Sequence, residues 1–418
     1  MAPYRVLVVD DSPFMRKIIS DLIVRDPIFT IVATASNGRE AVEAVRDCKP
    51  DAVTMDLEMP LMNGIEALQI IMKECPAPVI MLSGISEDNT RETIKALQFG
   101  AFDFIRKPSS ALSNDIYQVG EVLLEKLRIA VMTKRYQPVI EMKETLPFEP
   151  SASKAVRDKQ LILPPAPPIH TTYHERKDEP IQEADARAAK KPSPKPVEKK
   201  FVQAAVPERR DFSVAGKKGS LPDSSSSYKH IVAIGTSTGG PRALHEVITS
   251  LPANFPAPVL VVQHMPPKFT KSLAQRLDTF SGLKVVEAEH GCRVSAGVVY
   301  VAPGGYHMEL AKDHSGYSIV LTEAPPRNGH RPSVDVMFES LVPFGELQRH
   351  AVIMTGMGSD GAKGMKKLVE CGVDSTIAEA EETCVVYGMP RSAVEAGCAH
   401  QIVPLQRIGE QLIKAVSQ

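Results

Sequence analysis

Two sets of polar residues stand where short apolar runs of this chain give out. In the N-terminal part, Val6-Leu-Val-Val9 ends in Asp10-Asp11, Ala52-Val-Thr-Met55 ends in Asp56, Val79-Ile-Met-Leu82 ends in Ser83, and Phe102-Asp-Phe-Ile105 is followed by Lys107-Pro108. Gathered carboxylates repel one another unless a hard cation takes oxygen ligands from them, and Mg²⁺ suits a few carboxylates, waters and a phosphate. A lysine supplies a point charge for that phosphate and a serine a hydrogen bond. An Asp-Asp pair alone says little, because acids also serve as helix caps. The pattern carries weight because every member falls at the same end of a strand-like run.

In the C-terminal part, Ile234-Gly-Thr-Ser-Thr-Gly-Gly-Pro241 follows a strand-like run, opens a helical stretch and satisfies Gly-x-Ser-x-Gly from Gly235 to Gly239. Such a turn exposes a serine hydroxyl where helix N–H groups can stabilise an oxyanion. The segment alone also suits a nucleotide site or a plain turn. Two further run ends favour hydrolysis: Val259-Leu-Val-Val-Gln-His264 closes on a histidine, and Ala351-Val-Ile-Met-Thr-Gly-Met-Gly-Ser-Asp360 on an acid. Ser237, His264 and Asp360 would then serve as nucleophile, general base and orienting acid. The chain order is not that of an α/β-hydrolase, which predicts a different fold carrying a convergent triad. His245 reads as a helix residue, while His307 and His330 lie in loops that could line the same cleft. Asp335, in Arg331-Pro-Ser-Val-Asp335, rivals Asp360, and position in the sequence barely separates the two.

The elements that must hold these residues follow from the texture of the chain. Up to about Arg128, and again from Lys229, strand-like runs alternate with helical patterns, which predicts two doubly wound α/β domains with parallel sheets. In the second half the strand-like runs are His230–Ile234, Val259–Val262, Val298–Val301, Tyr317–Leu321 and Ala351–Met354. Between Pro138 and Tyr228 lie thirteen of the chain's 34 prolines, with Lys190-Lys-Pro-Ser-Pro-Lys-Pro196 and Ser224-Ser-Ser-Ser227. This composition cannot build a core and predicts a disordered linker. The expected domains are 4–125, a helix end and linker at 126–228, and 229–418.

At 418 residues the chain is too long for one ordinary core. Its 49 basic and 50 acidic residues leave a formal net charge of -1, so no global field points to nucleic acid or an anionic membrane. The 6 cysteines contain no Cys-x-x-Cys pair, against a zinc site or disulfide framework. Met1-Ala-Pro-Tyr-Arg5 runs into a strand without a signal-peptide pattern, and no apolar run reaches the ~18 residues of a membrane span. A cytoplasmic, monomeric protein that neither binds nucleic acid nor inserts in membranes is expected.

Residues 4 to about 125 resemble a response-regulator receiver domain, a flavodoxin-like fold. The resemblance implies Asp56 as phosphoacceptor, Asp10, Asp11 and Asp56 as Mg²⁺ ligands, Ser83 and Lys107 as phosphate readers, and Phe104 as a switch aromatic. Phe104 reads equally well as an ordinary core residue. Residues 229 to about 415 resemble the catalytic domain of chemotaxis protein-glutamate methylesterases, the CheB family, through Gly235-Thr-Ser-Thr-Gly-Gly-Pro241, Gln263-His-Met-Pro-Pro267, Val301-Ala-Pro-Gly-Gly-Tyr-His307, Arg331-Pro-Ser-Val-Asp335, Met354-Thr-Gly-Met-Gly-Ser-Asp-Gly361 and Tyr387-Gly-Met-Pro-Arg391. A receiver placed before such a domain is that family's own arrangement.

This second resemblance implies a Rossmann-like domain with the triad Ser237, His264 and Asp360, and with Thr238 and Met357 at the oxyanion or substrate. It implies a carboxylic ester hydrolase that needs no cofactor for the ester step, cleaves glutamate methyl esters on chemoreceptors and deamidates receptor glutamines. It also implies a chemotaxis histidine kinase as phosphodonor, and an unphosphorylated receiver packed over the cleft. Two features depart from the pattern: Ala378-Glu-Ala-Glu381 stands where Ala-Gln and an acid are expected, altering hydrogen bonds without touching the triad, and the linker is long. A flexible chain of about ninety residues spans roughly 50 Å, so it tethers without orienting.

Overall fold

The computed structural model describes residues 2–108, 113–133 and 228–417. The segment read as a linker falls, but for its two ends, outside the described residues. The N-terminal apolar runs form β1 (Tyr4–Val9), β2 (Phe29–Ala35), β3 (Ala52–Asp56), β4 (Val79–Ser83) and β5 (Asp103–Arg106). They pair in parallel in the order β2-β1-β3-β4-β5, the flavodoxin-like order. Between them run α1 (Pro13–Ile23), α2 (Gly38–Cys48), α3 (Gly64–Glu74) and α4 (Glu87–Gln98), followed by α5 (Ser113–Met132). Alternation along β1 sorts the layers: Val6 and Val8 pack with α1 and α5, while Leu7 and Val9 face α2, α3 and α4. The first four helices begin on capping side chains, Ser12, Asn37, Asn63 and Ser86, each accepting the N–H three residues on. These caps fix the helix starts beside the carboxyl ends of the strands, where the acidic residues lie.

The C-terminal half contributes β6 (His230–Thr236), β7 (Val259–Gln263), β8 (Lys284–Glu287), β9 (Val298–Val301), β12 (Gln348–Ile353), β13 (Ser375–Glu379) and β14 (Gln401–Val403). All pair in parallel, in the order β14-β13-β12-β6-β7-β9-β8. The Rossmann-like expectation holds with one exchange, since β9 sits inside β8. The run at Tyr317–Leu321 does not join this sheet. It lies in β11 (Gly316–Thr322), an antiparallel hairpin with β10 (His307–Asp313), because the short turn between them permits antiparallel pairing only.

Helices α6 (Gly240–Ser250), α7 (Phe269–Phe280) and α11 (Leu405–Val416) cover one face, on Val232, Ile234 and Val261. The hairpin, α8 (Val334–Ser340) and α9 (Ala362–Glu370) cover the other, on Ile231, Ala233 and Val262, and α10 (Met389–Glu395) closes the same side. Strand β6 is flanked by β7, which follows it in the chain, and by β12, which does not. This is the topological switch point, where open α/β sheets place their ligands. The loops after β6, β7 and β12 converge there.

Below that edge, Arg349 of β12 is 2% exposed. Its Nη1 donates to Val342 O at 3.2 Å and its Nη2 to Cys371 O at 2.9 Å and Gly372 O at 3.0 Å, at the C-termini of α8 and α9. The guanidinium neutralises two helix ends at once. Replacing Arg349 by Leu strands these buried carbonyls, and the expected loss is about 3 kcal/mol of unfolding free energy, read by chemical denaturation.

Candidate active site

Ser237 sits in the tight turn from β6 to α6. Gly239, at φ +80°, adopts the left-handed conformation that starts α6, and a Cβ on Gly240 would lie 1.9 Å from Gln263 Oε1. Glycine is therefore required at both positions. The Ser237 N–H donates to Thr355 O at 3.0 Å, while its carbonyl accepts from Gly240 N–H at 2.8 Å and Gln263 Nε2 at 2.9 Å. Gln263 Nε2 also donates to His264 O at 3.1 Å, so one buried amide ties the loops of β6 and β7 together. Both the fixed serine backbone and the half-buried side chain suit a nucleophile.

His264 follows β7, and its N–H donates to Thr236 O at 3.1 Å. Its Nε2 lies 2.8 Å from Asp360 Oδ2, while its Nδ1 is buried without a hydrogen bond. The carboxylate holds the ring proton on Nε2, which leaves a lone pair on Nδ1. Of the competing histidines, His330 stacks on His264 at 3.7 Å between ring centroids. Burial, with His264 next to it, pushes its pKa down to about 4, so it stacks as a neutral ring. His307 is occupied elsewhere, accepting Ser333 N–H at Nδ1 and lying 3.2 Å from Pro325 O. His245 packs edge-on against Phe280.

The two candidate acids separate clearly. Asp360 is 1% exposed. Its Oδ2 takes Val334 N–H at 2.7 Å and faces His264, and its Oδ1 accepts from Ser333 Oγ at 2.8 Å, Asn328 Nδ2 at 3.0 Å and Asp335 N–H at 3.2 Å. Burial works to raise its pKa, but the bond and charge of His264, with these donors, hold it well below the usual carboxylate range. Asp335 instead accepts Gly361 N–H at 3.0 Å, Gly364 N–H at 2.6 Å and Asn328 Nδ2 at 2.8 Å. Burial raises its pKa. It braces α8 against α9 and bonds no histidine.

In the N-terminal sheet, Lys107 Nζ lies 2.7 Å from Asp10 Oδ2 and 2.7 Å from Asp56 Oδ2. Oxygens of Asp10, Asp11 and Asp56 lie within 4.8 Å of one another. Burial raises the Asp56 pKa to about 6 even with Lys107 in contact, so three carboxylates here share too little positive charge. This donor set fits a hard divalent cation. Ser83 Oγ donates to Gly84 O and lies 2.6 Å from Thr93 Oγ1.

Phe104 is buried, but against the other half of the chain: its ring centroid is 4.5 Å from that of Phe269, the first residue of α7. Around it, Thr90 Oγ1 meets Ser272 Oγ at 2.7 Å and Arg276 Nε donates to Gln98 Oε1 at 2.8 Å. Thr238, next to Ser237, donates its hydroxyl to Asp103 Oδ2 at 2.6 Å. Asp103 is also ion-paired with Lys126. Asp103 and Phe269 were missed from sequence, since one is the polar position of a strand-like run and the other an apolar helix residue. Only the docked arrangement gives them meaning. Met357 is half-buried in the turn after Gly356, whose Cβ, if present, would lie 2.8 Å from that of Ser237.

No helix among the described residues is long and apolar enough to cross a membrane. Residues 232–412 match the CheB methylesterase family, and residues 6–115 the response regulator receiver domain. The protein-glutamate methylesterase/protein-glutamine glutaminase of Geobacillus kaustophilus is 40% identical over 418 residues, covering 100% of both chains. Its namesake from Thermotoga maritima is 41% identical over 412 residues, 99% of this chain and 98% of that one. The crystal structure of the Thermotoga maritima CheB methylesterase catalytic domain is 49% identical, covering 45% of this chain and 99% of that chain, at a TM-score of 0.44.

Asn328, at φ +53°, bridges both buried carboxylates. Asn328→Ala should lower stability by about 2–3 kcal/mol, from two lost bonds and a left-handed alanine, measured by thermal unfolding.

Proposed function

Because this chain belongs to the CheB family of chemotaxis protein-glutamate methylesterases, we propose that Ser237, His264 and Asp360 hydrolyse glutamate methyl esters of chemoreceptors, under control of phosphorylation at Asp56. The observation that carries the reading is the 2.8 Å contact of His264 with Asp360 at the strand edge that also bears Ser237.

Ser237 Oγ attacks the γ-carbonyl carbon while His264 Nδ1 takes its proton. His264 returns that proton to the departing methoxide, so methanol leaves and glutamyl-Ser237 remains. Water then loses a proton to Nδ1, attacks the acyl carbon and releases glutamate and Ser237. Asp360 holds the imidazole orientation and stabilises the imidazolium through Nε2–H. The Ser237 N–H is already given to Thr355, so oxyanion donors are sought in the neighbouring amides of Thr238 and Met357. A receptor glutamine offers ammonia in place of methanol, which makes deamidation the same reaction.

In the receiver, Asp56 accepts the phosphoryl group from a histidine kinase, with Lys107 and Ser83 reading it. Asp10, Asp11 and Asp56 would hold Mg²⁺, which neutralises charge on the transferring phosphoryl group. Two contacts support control of access: Asp103 holds Thr238, beside the nucleophile, and the switch position Phe104 packs on α7. We assign residues 4–125 to the receiver, 229–418 to the esterase, and 126–228 to a tether that sets the effective concentration of docking. The protein is taken to work in the cytoplasm as a monomer.

Phosphorylated protein should release methanol from methylated receptor, and Ser237→Ala should not; an active alanine variant would sink the assignment. Asp360→Ala is expected to cost about 10⁴-fold in kcat, against about tenfold or less for Asp335→Ala. Shortening the tether by half should leave activation by phosphorylation intact, and loss of activation would give it a specific regulatory role.

A further inference from the structure

Glu379 is the last residue of β13 and is 0% exposed. It stands where the family resemblance leads one to expect Gln, and it does reach the catalytic loop. Its Oε2 accepts Thr355 N–H at 2.8 Å and its Oε1 accepts Thr383 Oγ1 at 3.0 Å. Thr355 is the hub of the nucleophile turn. Its carbonyl takes Ser237 N–H at 3.0 Å, and its hydroxyl donates to Thr238 O at 2.9 Å and accepts Val386 N–H at 2.9 Å. The chain then passes through Gly356, against Ser237, to Met357. The carbonyl that Thr355 offers to Ser237 and the hydroxyl it offers to Thr238 thus belong to a residue whose N–H is held by Glu379.

We propose that Glu379 is a positioning residue for the ester hydrolysis, and that its ionised carboxylate sets the Thr355 to Met357 turn, and through it Ser237, in the working geometry. The inference rests on Ser237 being the nucleophile. A carboxylate binds an amide N–H more tightly than a neutral acceptor does, and burial here lets the group change state without losing its partners. Ionised, Glu379 receives the Thr383 hydroxyl. Protonated, it donates to Thr383 Oγ1, whose own hydrogen turns to Ala380 O, 3.2 Å away. Leu405 N–H remains on the same hydroxyl oxygen in both states.

Burial pushes the pKa of Glu379 up to about 7, against the pull of Thr355, Thr383, Cys384 and Arg242. The charged and titratable groups around it are Arg242 on α6 and Cys384, Glu381 and Glu382 in the loop after β13, with the Cys384 thiol raised by burial and by Glu379. Protonation on acidification therefore removes the firmer grip on Thr355, and activity attributable to Glu379 is present above about 7 and lost below it.

The test is the pH profile of methanol release from receptor-bearing membranes by the full chain, kept phosphorylated with excess small phosphodonor. Protonated Glu379 still offers Thr355 a neutral acceptor, so the wild-type log kcat profile should carry a step of roughly fivefold near pH about 7 on its acid side. Glu379→Gln keeps the acceptor for Thr355 but cannot ionise, so its profile should lack that step, with kcat roughly fivefold lower at alkaline pH and KM unchanged. Every other ionisable group is common to the two proteins, so the difference isolates Glu379. Thr383→Val, which removes a donor to the carboxylate, should move the same step to higher pH.

Coincident profiles, a loss confined to KM, or an unmoved step in Thr383→Val would each overturn the proposal. Ser237→Ala run alongside separates the failures: activity surviving there sinks the nucleophile assignment, whereas coincident profiles beside an inactive Ser237→Ala sink only the role of Glu379.

Discussion

The Asp360 carboxylate is buried, and a buried charge persists only where its lone pairs are taken up. That one requirement organises the catalytic half. Its donors come from the start of α8, from Ser333 and Asn328 in the preceding loop, and from His264 after β7. Satisfying Asp360 therefore fixes the ring of His264 and the register of the loop against β12. Asp335 would be a second buried charge beside it, and Asn328 lies between the two as a shared donor. The site is held by hydrogen bonds on three loops, and the parallel sheet sets their spacing.

The two sheets solve the same problem differently. Each collects acids at the carboxyl edge of its strands. In the receiver the acids meet Lys107 and have room for a cation, so their charge can respond to a phosphoryl group. In the esterase the acid is enclosed by neutral donors and a histidine, which suits steady orientation of a base. The halves meet along β5 and α4 of the receiver: the start of β5 supplies Asp103 to Thr238 and Phe104 to Phe269, and α4 supplies Thr90 to Ser272. Lys107, three residues beyond Phe104, thus lies just past the end of the short strand that contacts Thr238, beside Ser237.

Much of this was legible in the sequence. Gly239 and Gly240, the histidine after a run of valines and the acids at strand ends all follow from local rules, because turns and strand ends impose residue types. That His264 meets Asp360 and not Asp335 was not legible, since both acids lie near helix starts and only the packing of α8 on α9 turns Asp335 away from His264. Strand β13 escaped notice because small residues and a buried glutamate hide a central strand. The hairpin strand β11 had the right residues for a sheet, but its partner β10 ends just before it at Asp313 and pairs in the opposite sense. Glu379 was read as leaving the triad alone, because its reach to Ser237 passes through the backbone of Thr355.

The central claim is that receiver strand β5, through Asp103 and Thr238, restrains the proposed nucleophile Ser237, and methanol release by unphosphorylated Asp103→Ala tests it most directly. Removing this acceptor leaves Thr238 unpaired in the docked state, and basal release should rise about tenfold while the phosphorylated rate stays at the wild-type value. An unphosphorylated rate no higher than that of the wild type, with the phosphorylated rate intact, would contradict the account.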